Sequence, residues 1–258
     1  MITEIKPSES SNLRGLFKGF LEDLACFLYP PHCVLCRKPL PDGLRAACDE
    51  CRDELFSNIK PSLPYCPVCR AFYPDIFDGC RTCAGRKSPG KLYALSEMTA
   101  SMREYLHAYK YFGRVEISEQ FAHKAFELYA RAPFIKDIDV IIPVPLHPRK
   151  HHYRGYNQAE LFAKHLSHLF DIPMNCTALK RKKNTKSQTY LNAIERYANI
   201  KGVFQISNNE SIKNKRILLV DDIVTTGATL YECSKTLRRA GASQVISLTI
   251  GRPTVLGQ

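Results

Sequence analysis

Four Cys-x-x-Cys pairs stand between residues 33 and 83, and they constrain what this 258-residue chain can fold into more than any other feature. Cys33 and Cys36 are followed, after eleven intervening residues, by Cys48 and Cys51; Cys66 and Cys69 are followed, after ten, by Cys80 and Cys83. A Cys-x-x-Cys turn lets two thiolates converge on one ion, and two such turns complete the tetrahedron that Zn²⁺ favours. Four thiolates leave no coordination position for water, so the expected ions are structural. Redox-active thiol pairs and an iron–sulfur cluster are the competing readings. The spacing leaves open whether the ligand sets are sequential or interleaved. Residues 31–88 hold few periodic apolar segments and much Pro, Gly and Cys, a stretch with too little core to fold without a cross-link or a metal.

The rest of the composition sets the compartment and the sign of the partners. No run approaches the ~18–20 apolar residues that span a bilayer, and residues 1–11 carry Glu4 and Glu9 with no apolar core of a secretory signal. A cytoplasmic protein with no membrane span is expected, where clustered thiols bind metal more often than they form disulfides. Cys26, Cys176 and Cys233 fall outside the pairs in apolar settings and read as buried thiols. The formal charge of +12 implies anionic partners, among them nucleic acid, phosphorylated small molecules and acidic lipid. Around the cysteines, Arg37, Lys38, Arg45, Arg52, Arg70, Arg81, Arg86 and Lys87 alternate with Phe56, Tyr65, Phe72, Tyr73 and Phe77. Cations for phosphates and rings for stacking are what single-strand binding uses; the same rings also suit the mini-core of a small module.

Three parts are expected. In residues 1–30, Leu13, Leu16, Phe17, Phe20, Leu21, Leu24, Phe27 and Leu28 recur at helical spacing, and Pro30-Pro31 stops them. The polar side of that helix mixes both charges, as a helix docked on its own protein does. Residues 31–88 form the zinc-ribbon module, and Lys87-Ser88-Pro89-Gly90 reads as a boundary. From residue 91 to 258 strands alternate with helices. Strands are expected at 93–98, 139–144, 174–179, 216–220 and 244–250, with helices at 102–111, 117–130, 157–170 and 230–240. This order argues for an α/β domain built on a parallel sheet.

The segment Ile217-Leu-Leu-Val-Asp221-Asp222-Ile-Val-Thr225-Thr226-Gly227-Ala228-Thr229 carries the chemistry. An apolar strand delivers two carboxylates to its C-terminal end, where open α/β sheets bind ligands. A small, hydroxyl-rich turn then leads into a helix, and its amide groups with the helix N-terminus make an anion site. Carboxylates repel phosphate but accept from sugar hydroxyls. A ligand with ribose at one end and phosphate at the other fits the layout. An acidic helix cap followed by an ordinary turn is the bland alternative.

The full thirteen-residue pattern resembles the 5-phosphoribosyl-1-pyrophosphate (PRPP) motif of type I phosphoribosyltransferases. The segments Asp139-Val-Ile-Ile-Pro-Val-Pro-Leu-His-Pro-Arg149, Arg154-Gly-Tyr-Asn-Gln158, 186–196, Asn199-Ile-Lys-Gly-Val-Phe204, Tyr29-Pro-Pro-His-Cys33 and Lys110-Tyr-Phe-Gly113 extend the likeness to the ComF/GntX family over nearly the whole chain. That resemblance implies a zinc-ribbon module ahead of a phosphoribosyltransferase-like domain, in proteins linked to competence, DNA uptake or DNA utilisation. It implies that Asp221 and Asp222 hold the ribose hydroxyls and that Thr225, Thr226, Gly227, Ala228 and Thr229 hold the 5′-phosphate. Arg149 and Arg154 fall at the pyrophosphate loop. Residues 180–200 fall at a mobile catalytic loop, with Lys186 and Arg196 the catalytic candidates and Lys182 and Lys183 beside them. Mg²⁺ would accompany PRPP. Two functions follow: a PRPP-binding protein of DNA uptake, engaging single-stranded DNA and uptake proteins, or an active phosphoribosyltransferase of nucleotide metabolism with no direct DNA role. No feature names an acceptor, and His147, His151 and His152 carry no assigned role.

Overall fold

The computed structural model describes residues 32–40, 46–74, 80–83, 88–148, 151–152, 155–182 and 193–254. The amphipathic helix expected within residues 1–30 lies outside them. In chain order the elements are α1 (Asp49–Ser57), a 3-10 turn (Arg81–Cys83), β1 (Leu92–Glu97), α2 (Ala100–Tyr111), α3 (Glu116–Tyr129), α4 (Pro133–Lys136) and β2 (Val140–Pro143). They continue with α5 (Gln158–Phe170), β3 (Leu179–Arg181), α6 (Ala193–Ile200), β4 (Phe204–Ile206), β5 (Arg216–Ile223), α7 (Ala228–Arg239) and β6 (Gln244–Arg252).

The main sheet has the order β1-β6-β5-β2, and every pairing in it is parallel. The α/β class expected from the alternating pattern is what the chain adopts. Parallel strands covered on both faces carry apolar side chains at every position, and β5 shows why. Consecutive side chains leave a strand on opposite faces. Leu218 and Val220 enter one core, with Met102, Tyr105 and Leu106 of α2, Phe121 of α3 and Phe162 of α5. Ile217 and Leu219 enter the other, with Leu230, Cys233 and Leu237 of α7 and Phe204 of β4. Each such side chain contributes about 1.5–3 kcal/mol by leaving water.

The first cysteine module belongs to the core under α2 and α3. Cys33, Leu40, Ala46, Ala47, Leu55 and Ile59 are buried within it. Phe56 on α1 lies 5.0 Å from the Phe121 ring and 6.2 Å from that of Tyr105. The second module sits on the other side of β1: Tyr65 is fully buried in the core under α7, and its amide donates to the Leu92 carbonyl at 2.7 Å.

Two helix starts are fixed by side chains. Thr99 accepts from the Met102 amide at 3.2 Å and opens α2, and Asn157 accepts from the Ala159 amide at 3.2 Å and opens α5. Such caps are worth about 1 kcal/mol each. Asn157 also donates to the Val144 carbonyl at 3.1 Å, tying the loop after β2 to the start of α5.

One strand departs from expectation. Residues 174–179 do not form a strand of the main sheet. Met174 makes a single parallel bridge to Ile141, and the chain then pairs Leu179–Arg181 antiparallel with Phe204–Ile206 as a separate ribbon. Asn175 explains the break: its side-chain oxygen accepts from the Thr177 and Ala178 amides at 3.1 and 2.9 Å, a turn that takes those donors away from a ladder. A second correction is Cys176, which is exposed, whereas Cys233 is buried as expected. Among the described residues no helix is long and apolar enough to cross a membrane.

Candidate functional site

Asp221 and Asp222 lie just before the last residue of β5, Ile223, at the carboxyl edge of the sheet, and the turn after the strand leads into α7. Because side chains alternate, the two aspartates continue the two rows of β5 on opposite faces. Asp222 follows Leu218 and Val220 toward α2, where its carboxylate lies 2.7 Å from Lys110 Nζ, both side chains less than one-fifth exposed. Asp221 follows Ile217 and Leu219 toward the α7 face, where the charges of Arg181 and the Cys233 sulfur are its neighbours. Burial, and then the charge of Asp222, push the Asp221 carboxyl well above the usual range, against a smaller downward pull from Lys110. Asp221 also accepts from the Asp222 amide at 2.9 Å.

The turn is held from several sides. The Val224 amide donates to the Gly251 carbonyl of β6 at 2.9 Å. Tyr197 of α6 donates its hydroxyl to the Thr226 carbonyl at 2.9 Å. Burial, followed by the nearby Cys66 sulfur, raises that phenol to about 12, so it remains a donor at neutral pH. Gly227 adopts a left-handed conformation with φ +75°, which a side chain disfavours. It is also crowded, since a Cβ there would lie 2.5 Å from Pro67 Cγ. The first amides of a helix have no partner inside it, and in α7 they face the turn that Thr225, Thr226 and Gly227 form.

Arg196 precedes Tyr197 on α6, the helix whose Tyr197 meets the turn. Arg149, Arg154, Lys183 and Lys186 fall outside the described residues. Lys182 follows β3, its amide bonded to the Val203 carbonyl. His147 is buried in the loop after β2. Pro67 and Tyr197 were given no role at the site from sequence alone, Lys110 was named only within the Lys110–Gly113 likeness, and Arg181 only within the basic start of the 180–200 segment. Only Lys110 had a local signal, a cation closing the last turn of α2; the others meet the site through long-range contacts.

The eight paired cysteines gather as two sequential sets, Cys33, Cys36, Cys48 and Cys51, and Cys66, Cys69, Cys80 and Cys83, with all four sulfurs of each set within 4.8 Å of one another. This answers the pairing question that spacing left open. Cys36 and Cys48 sulfurs are 3.7 Å apart and those of Cys69 and Cys80 3.5 Å, far beyond the ~2.05 Å of a disulfide. Sulfurs ~2.3 Å from a shared tetrahedral ion stand about 3.8 Å apart, so the donors fit a four-coordinate thiolate metal. At Cys33, burial raises the thiol, but amide hydrogen bonds from Cys36, Cys48 and Leu35 outweigh it and bring it to about 6. Cys51 of the same set is pushed the other way, by burial and then by its sulfur neighbours, so one thiol gives up its proton first, whereas ligation requires all four to do so.

A parallel sheet with paired carboxylates and an amide-rich turn at its carboxyl edge defines a phosphoribosyltransferase-type domain, and residues 157–253 match the family described as "Phosphoribosyl transferase domain". The chain is 32% identical to Competence protein F of Haemophilus influenzae over 83% of its own length and 93% of that protein. It is 29% identical to the DNA utilization protein YhgH of Escherichia coli K12, over 84% of this chain and 94% of that one. Competence protein ComFC of Bacillus subtilis is 30% identical over 62% of each chain. The chain belongs to the ComF family.

Proposed function

We propose that this protein binds PRPP at the end of β5 and acts in the cytoplasm in DNA uptake or DNA utilisation, the setting that its relatives' names indicate. The observation that carries the reading is the β5–turn–α7 unit: two carboxylates at a sheet edge, then a turn with a left-handed glycine at a helix N-terminus. In this reading Asp221 and Asp222 accept from the ribose hydroxyls, and Thr225 to Thr229 surround the 5′-phosphate with amides and hydroxyls. Arg149 and Arg154 face the pyrophosphate, where guanidinium forks match paired oxygens. Lys186 and Arg196 close over the leaving group, neutralise it and exclude water.

Mg²⁺ bound with PRPP would neutralise its phosphate charge. Zn²⁺ in each cysteine set would be structural, because four thiolates fill the coordination sphere. The domain division at residues 31–88 and 91–258 belongs to the same reading, with single-stranded DNA and uptake proteins as the further partners.

Calorimetry of PRPP with Mg²⁺ tests the site. Wild type binds, and Asp222→Ala or the Asp221→Ala/Asp222→Ala pair binds at least tenfold more weakly; equal affinities would remove the reading. Retention of single-stranded DNA that weakens as salt rises supports the DNA role, and indifference to DNA removes it. Release of pyrophosphate in a screen of bases and nucleosides would instead mark an active phosphoribosyltransferase.

A further inference from the structure

The second cysteine set lies against the turn assigned to phosphate, and the contacts are direct. Pro67, between Cys66 and Cys69, fills the space beside Gly227: a Cβ on Gly227 would stand 2.5 Å from Pro67 Cγ and 3.0 Å from Pro67 Cβ. Tyr197, which holds the Thr226 carbonyl at 2.9 Å, has the Cys66 and Cys83 sulfurs of this set as neighbours.

The set is also pinned from behind. Tyr73 donates to the Gly90 carbonyl at 3.2 Å, the Tyr65 amide donates to Leu92 at 2.7 Å, and Cys66 and Cys83 are each 1% exposed. A knuckle fixed at its base and touching the turn at its tip transmits its own shape to that turn. The first set is differently placed, since its contacts are with α2 and α3 through Phe56.

We infer that the metal of the second cysteine set and the phosphoribosyl ligand are energetically coupled, through Pro67 against Gly227 and Tyr197 on Thr226. The inference rests on the PRPP reading of the turn and assigns positioning roles to Pro67 and Tyr197. With the metal in place the Cys66–Cys69 knuckle is rigid, and Pro67 backs the left-handed turn that points amides at the phosphate. Without it the knuckle has too little core to hold its shape, and the turn loses that support. Linkage makes the effect reciprocal: if the metal tightens PRPP by some factor, PRPP tightens that metal by the same factor. The ligand need not touch the ion for this to hold.

The test reads metal release. Zinc-loaded protein is mixed with a chromogenic chelator, with and without PRPP and Mg²⁺, and the zinc lost is followed over time. One of two zinc ions per chain leaves at least fivefold more slowly when PRPP is present, and the other leaves at an unchanged rate. Pro67→Ala and Tyr197→Phe alter no metal ligand. Each keeps its zinc content and melting temperature, binds PRPP at least threefold more weakly by calorimetry, and loses part of the protection. A merely structural role would lower the melting temperature and leave PRPP affinity alone. If PRPP binds wild type while both ions leave at rates it does not change, the coupling is overturned and the PRPP site stands. If PRPP produces no binding heat with wild type, the site itself fails and the coupling falls with it.

Discussion

Lys110 and Asp222 form a salt bridge of 2.7 Å between the last turn of α2 and the end of β5, with side chains 19% and 18% exposed. It joins two segments more than a hundred residues apart, and it sets the charge at the candidate sugar site. Two adjacent carboxylates would repel each other. Here Asp222 has a lysine, and the Asp221 carboxyl is pushed upward by burial and then by the charge of Asp222 itself. The acidic pair is therefore electrically unequal although its residues are identical.

The first prediction concerns that bridge. Lys110→Met keeps the length of the side chain and removes its charge, leaving Asp222 mostly buried without its cation. Loss of one partner of a largely buried pair costs about 1–3 kcal/mol once the residual exposure is allowed for, a fall of several degrees in melting temperature. Lys110→Arg should recover most of the loss. Thermal melts of the three proteins check this, and an unchanged Lys110→Met melt would refute it.

Metal removal should affect the whole fold and not only its tip. The first cysteine set contributes Cys33 to the same core as Tyr105, Phe121 and Leu218, so releasing its ion disturbs the packing of α2 and α3. Elemental analysis should give about two zinc per chain. A strong chelator should lower the melting temperature by about 10 °C or more, with loss of near-ultraviolet signal from the packed tyrosines. A melt indifferent to chelation would contradict the shared core.

The sheet was readable from sequence because parallel strands covered on both faces leave unbroken apolar runs. The 139–144, 216–220 and 244–250 segments became β2, β5 and β6 with small shifts of boundary. The 174–179 stretch misled because its apolar pattern is local, whereas Asn175 diverts the backbone into a turn before pairing is complete. Of the candidate site, the two aspartates near the end of β5 and the turn that follows could be placed from sequence, since a strand end and its loop are contiguous in the chain. Pro67 and Tyr197 could not be assigned, because each reaches the site from another part of the chain and nothing in its neighbours records the destination; the Lys110 segment carried a family likeness but not its partner Asp222. The sequential pairing of cysteine sets was hidden for the same reason.

Asp221 and Asp222 should respond oppositely to removal of charge. Asp222→Asn strips Lys110 of its partner and destabilises. Asp221→Asn removes a carboxyl whose folded-state pKa lies above its unfolded value, while keeping an oxygen to accept from the Asp222 amide. As pH rises beyond the ordinary carboxylate range near 3.9, the unfolded chain gives up this proton before the folded chain does. The folded state then binds more protons, and wild-type stability falls with pH across that window. Below it the two states are equally protonated and no penalty exists. Asp221→Asn should therefore melt above wild type at pH 7, with an advantage that shrinks as pH approaches 4. It should also bind PRPP more weakly, a gain in stability at the expense of a functional group. Melts of both proteins at the two pH values decide it; a difference that does not change with pH would sink the assignment of the raised carboxyl to Asp221.

Gly227 meets two separate demands, and a double-mutant cycle can divide them. Its φ of +75° costs a side-chain-bearing residue about 1–2 kcal/mol, and its missing Cβ leaves room for Pro67. Gly227→Ala should incur both penalties, lowering stability by about 2–3 kcal/mol and weakening PRPP binding at least tenfold. Pro67→Ala shortens the ring that a Cβ would strike, so in the Pro67→Ala/Gly227→Ala protein the steric part is relieved and the backbone part remains. The two substitutions should then be non-additive, with a favourable coupling of about 1 kcal/mol, within the range expected of residues in contact. Strict additivity would mean that the turn moves away from Pro67 at little cost. In that case the left-handed backbone alone would account for the glycine.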